Sequence, residues 1–133
     1  MFTAREIAKE LGEDVAAVRA VLPGIDQAAI FAAEQAKVSV EVWDGVSDIQ
    51  GIPAAHWKAN GDLPAGGHMY LLRDTSTGLV LRAQPHAPGG IGRAPMSHEQ
   101  AIAFGTQHRD EAAMQGARAA IIKAVDQALD AQV

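Results

Sequence analysis

The sequence predicts an α+β fold: an N-terminal bundle of short helices, a small antiparallel sheet containing a β-hairpin, and a C-terminal helix or helix pair. Three observations carry that reading. Apolar residues recur at helical spacing behind capping patterns within residues 1–37. Residues 38–95 hold nine of the 13 glycines and five of the six prolines, with strand-like segments between them. From residue 97 the helical period returns. A chain of 133 residues is the size of one ordinary domain, so zones 1–37, 38–96 and 97–133 are expected to share one compact domain.

The elements follow in order. Thr3 with Glu6 is a capping-box pattern, in which the threonine oxygen accepts an early backbone N–H. Gly12 supplies the left-handed residue that ends the first helix, Asp14 caps the second, and Pro23-Gly24 stops it. Asp26 caps a third helix reaching about Lys37, with Ile30, Phe31 and several alanines expected on its buried side. Val38, Val40 and Val42 then alternate with Ser39 and Glu41, the period of a half-buried strand. Asp44-Gly45 and Asn60-Gly61 read as turns, and a short helical turn is expected at 54–58. Segments 68–73 and 79–83 flank Asp74-Thr75-Ser76-Thr77-Gly78 and predict a hairpin, which must pair with the 38–43 strand or lie on a helix to be stable. Ser97 with Gln100 repeats the capping-box pattern. Beyond it Met114, Ala117, Ile121 or Ile122, Val125 and Leu129 form an apolar stripe, with Arg118 off it and solvated. Gly105 and Gly116 each weaken that run by about 1 kcal/mol relative to alanine, so a break at 105–109 competes with one long helix.

Residues 3–22, TAREIAKELGEDVAAVRAVL, place Ile7, Ala8, Leu11, Gly12, Val15, Val18 and Val21 where a helix-turn-helix pair needs small or apolar packing residues. In that spacing the segment resembles the helix-turn-helix superfamily. The resemblance implies a second helix that enters the DNA major groove. Its exposed positions here are Ala16, Ala17 and Ala20 with a single Arg19, while Arg5 and Lys9 are the residues available to phosphate. Residues 1–24 carry three basic side chains against four acidic ones.

Composition narrows the function classes. A net charge of −5 disfavours general affinity for nucleic acid or anionic membrane. The absence of cysteine excludes disulfides and thiolate metal sites and fits a reducing compartment. Arg5, Glu6, Lys9 and Glu10 precede any apolar run of signal-peptide length, and no stretch approaches a membrane span, so a soluble cytoplasmic protein is expected.

Chemistry-bearing residues are few. His56, His68, His86, His98 and His108 include no His-x-x-x-His pair, and His108 with Glu111 is only an i, i+3 pair; no metal site or cofactor is expected. A metal would require His68, His86 and a third residue to converge through the fold. The loop holding Gly89, Gly90, Gly92 and Arg93 precedes a helix start, and with Arg82 and His86 it has the donors an anion needs. Its spacing is neither a Walker loop nor a dinucleotide fingerprint. Tyr70, Arg82, His86 and Arg93 would form one cleft if the hairpin and this loop converge. No serine elbow is present, and the adjacent Asp110 and Glu111 point to different sides of a helix, so no catalytic residue is assigned. Trp43, Ile49, Ile52 and Trp57 read as satellite core.

The leading expectation is therefore a small non-enzymatic interaction or assembly module of bacterial or phage type, with a protein partner or a second copy as its ligand. The alternatives are a DNA-binding regulator using Arg5, Lys9 and Arg19, and an anion- or nucleotide-binding protein or enzyme using residues 86–93 with Arg82.

Overall fold

The computed structural model describes residues 1–43, 68–84 and 96–132, and its architecture is α+β. Helices α1 (Ala4–Leu11), α2 (Val15–Val21) and α3 (Gln27–Ala36) are followed by strands β1 (Val38–Trp43), β2 (Met69–Asp74) and β3 (Val80–Gln84) and by a long helix α4 (His98–Asp130). The turn at 44–45, the helical turn at 54–58, the turn at 60–61, Ile49, Ile52 and Trp57 lie outside the described residues. The chain divides into two compact units, residues Met1–Glu34 with Ala112–Val133, and Gln35–Glu111.

The helical unit is set by its caps. Thr3 Oγ1 accepts from the Glu6 N–H at 3.2 Å and donates to the Glu6 carboxylate at 3.1 Å. Gly12, at φ +67°, turns the chain so that its own N–H and that of Glu13 both reach the Ala8 carbonyl. Asp14 then receives the Ala16 N–H, and Asp26 receives that of Ala29. A reciprocal amide pair, Phe2 N–H to Gln27 Oε1 and Gln27 Nε2 to the Phe2 carbonyl, joins the N-terminal segment to α3. The core is Ile7, Ala8 and Val18 against Ala117, Ile121 and Val125 of α4, with Leu11, Val15, Val21, Ile30 and Phe31 packed around it. Burying branched side chains of this size contributes about 1.5–3 kcal/mol each.

Two expectations about these helices need correction. Ala28, Ala29, Ala32 and Ala33 of α3 are exposed, so only Ile30 and Phe31 serve the core as expected. Along the apolar stripe of α4 the buried positions are Ala113, Ala117, Ile121 and Val125, while Met114 is 37% exposed. A rise of four residues per step keeps these four side chains on one winding stripe. Arg118 is solvated, as expected, and pairs with Glu10 at 3.1 Å.

The sheet unit is an antiparallel sheet in the order β1-β2-β3. Val40 stands opposite Leu72 and Val42 opposite Tyr70, so the alternating valines share a face with the even positions of β2. Ala101 and Phe104 of α4 cover that face. Met69 and Leu71, on the other face, join Trp43, Met96, Val80 and Ala83. The predicted break at 105–109 does not occur, and α4 is continuous over 33 residues. Gly105 is buried where helix meets sheet: a Cβ there would lie 2.6 Å from Val40 Cγ1 and 2.9 Å from Tyr70 Cβ. The residue that looked like a weak point is the one that permits close approach.

Candidate functional site

The helical unit holds the residues a DNA reader would use. Arg5 and Lys9 on α1 and Arg19 on α2 are exposed, as are Ala16 and Ala20. So are Glu6, Glu10, Glu13 and Asp14, which would meet phosphate oxygens with like charge. The notch lined by Phe2, Glu6, Ile7, Arg118 and Ile122 is too small for a ligand.

In the sheet unit, β2 aims Tyr70 at α4. Its ring is fully buried, and its hydroxyl is hydrogen-bonded to His108 Nδ1, the two rings meeting edge to face at 5.3 Å. Burial pushes the Tyr70 phenol above its ordinary range; the Arg82 guanidinium opposes that shift and Glu111 adds to it. A neutral phenol either donates to the imidazole nitrogen or accepts from it, according to the His108 tautomer. Sequence reasoning matched His108 with Glu111 and missed its pairing with Tyr70. The available signal was the i, i+3 spacing of Gly105 and His108, which puts both on the helix face over β2.

Arg82 lies on the same sheet face, opposite Leu72, and is exposed. Tyr70 and Arg82 thus lie on one face of the sheet. His86, Gly89, Gly90, Gly92 and Arg93 lie outside the described residues, so Arg82 alone represents the anion-binding set. Among the described residues, no three His, Asp or Glu side chains converge as a metal-binding group.

The best-organised exposed feature is the end of the β2–β3 hairpin. Asp74 Oδ1 accepts from Ser76 N–H at 2.8 Å, Ser76 Oγ at 2.6 Å and Thr77 N–H at 3.1 Å. These hydrogen bonds hold the Asp74 carboxyl below its ordinary pKa. Gly78 adopts φ +75°, its N–H donates to the Asp74 carbonyl, and its own carbonyl accepts from Arg73 Nη1 at 2.8 Å. Arg73 Nε is in turn fixed by Glu41 at 2.7 Å. Thr75 ties the turn to the chain entering β1, its N–H donating to the Lys37 carbonyl and its hydroxyl to that of Ala36.

This clamped turn presents leucines to solvent. Leu79 is 59% exposed and Leu81 57% exposed. Leu72 pairs with Arg82 and Arg73 with Val80, which leaves Leu81 as the extra residue of a β-bulge. The bulge lets Val80 and Ala83, three residues apart, pack against the same buried cluster while Leu81 turns outward. Regular alternation would not allow that pair on one face.

The chain matches no family model, no curated protein and no solved structure. Among the described residues, no single helix is long and apolar enough to cross a membrane.

Proposed function

We propose that this chain is a non-enzymatic interaction module that associates with a second copy of itself through the end of the β2–β3 hairpin. The observation that carries this reading is the exposure of Leu79 and Leu81 beside a turn held by its own hydrogen bonds. A surface already rigid in the free protein loses little side-chain and loop entropy on docking. An apolar patch is also self-complementary across a two-fold axis, because it needs no charge matching.

The net charge of −5 makes two copies repel, so added salt strengthens this association by screening. Sedimentation velocity over a concentration series at low and high salt tests it. The expected result is a reversible dimer favoured by salt, and a monomer for the double variant Leu79→Gln, Leu81→Gln with unchanged circular dichroism. A parent protein that stays monomeric throughout, or a double variant that dimerises equally, overturns the reading.

A second reading, DNA binding by α1 and α2, is favoured by the exposure of Arg5, Lys9 and Arg19. It has the opposite salt signature, since phosphate contacts weaken as salt rises. Retardation of DNA at low salt, lost on Arg19→Ala, would support it over self-association.

A further inference from the structure

We infer that His68 and His98 form a two-histidine site for a late first-row divalent metal ion. The two rings meet edge to face with centroids 5.8 Å apart and planes inclined by 78°. Two imidazole nitrogens sharing one tetrahedral ion at about 2.0–2.1 Å put their ring centroids roughly 5 Å apart. To share an ion the two rings must therefore draw slightly closer than they stand here.

Three features point to a ligand there. His68 Nδ1 is buried and has no hydrogen-bond partner among the described residues, an unsatisfied state that a bound ion or its coordinated water would relieve. Both backbones are already fixed. The His68 N–H donates to the Met96 carbonyl at 3.1 Å in an isolated bridge, and Met96 is itself buried. His98 follows two residues later, behind a reciprocal cap in which Ser97 Oγ accepts from Gln100 N–H and Gln100 Oε1 accepts from Ser97 N–H. Finally, His98 is exposed, which opens the pair to ions from solution.

The chemistry sets the choice of ion. Neutral imidazole nitrogen suits copper, zinc and nickel, whereas calcium and magnesium require oxygen. Since no third His, Asp or Glu of the described residues joins the pair, water completes the coordination. The helix N-terminus at His98 opposes a cation, and Glu99 in the same first turn offsets it.

Isothermal titration with Zn2+ and with Cu2+ tests the site, with histidine ring signals followed by NMR during the zinc titration. The expected result is one ion per chain, tighter for Cu2+ than for Zn2+, with no response to Ca2+ or Mg2+. The exposed His98→Ala variant keeps its fold and loses roughly tenfold or more in zinc affinity, whereas His108→Ala does not. The His68 and His98 ring signals shift together. Equal zinc affinity in parent and His98→Ala, or shifts confined to other histidines, overturns the proposal.

Discussion

The two units of this chain reach stability by different means. The helical unit is a periodic structure: short capped helices place Ile7, Val18, Ile121 and Val125 in one cluster, and alanines fill the gaps between them. The sheet unit depends on single-residue geometry. Gly105 admits α4 to the sheet, a bulge at Leu81 redirects β3, a buried Tyr70 meets His108, and one aspartate organises the hairpin turn. The first kind of packing tolerates exchange among apolar residues of similar volume. The second fails at particular atoms, and it is there that candidate functional groups gather.

The largest expected effect lies in the helical unit. Ile121→Ala removes three carbons' worth of packing partners from a fully buried site and costs about 2–5 kcal/mol in urea denaturation. A cost below about 1 kcal/mol would mean that this core is not the close-packed cluster described.

The two α4 glycines sharpen the contrast by opposite signs. Gly105→Ala gains helix propensity but drives a methyl into Val40 and Tyr70, so it destabilises by about 1–3 kcal/mol. At Gly116 the nearest atom to an added Cβ, at 2.7 Å, is the Glu34 carboxylate oxygen, the far end of a flexible side chain. Gly116→Ala is therefore neutral or stabilising by up to about 1 kcal/mol in the same assay. Equal costs at both positions would remove the distinction between the units.

Smaller still is Tyr70→Phe, which keeps the ring and loses the hydroxyl bonded to His108. It costs about 1 kcal/mol in thermal or urea unfolding. The smallest effect follows pH. The carboxyl of Asp74 has its pKa lowered in the folded state, first by the Ser76 hydroxyl and then by backbone N–H groups. Its contribution is therefore fully present above the unfolded value of about 3.9 and is lost as pH falls through the lower folded value. The stability difference between parent and Asp74→Asn narrows toward zero over that acid window, and a difference that persists below it contradicts this assignment.

Much of the fold was legible because it rests on local rules. The caps at Thr3, Asp14, Asp26 and Ser97 all form, β1 spans the predicted residues, and the hairpin strands sit within one residue of their expected bounds. Elsewhere local rules gave out. An alanine-rich helix carries little information about its buried face, so α3 was assigned too many buried alanines and the α4 stripe was read at Met114 instead of Ala113. A glycine's propensity cost could be counted, but the strand side chains beneath Gly105 were invisible. Of the site, the sequence singled out Tyr70 and Arg82 but not the pairing of Tyr70 with His108. Tyr70 and His108 are 38 residues apart, and Leu81 turns outward through a bulge that breaks the two-residue period.

Backbone amide hydrogen exchange, compared between dilute and concentrated protein, tests most directly whether the hairpin end is a contact surface. Protection that rises with concentration at residues 79–82, leaving α1 and α2 unchanged, is the predicted result. Exchange that is independent of concentration across the hairpin, or protection that appears on α1 and α2 instead, would contradict it.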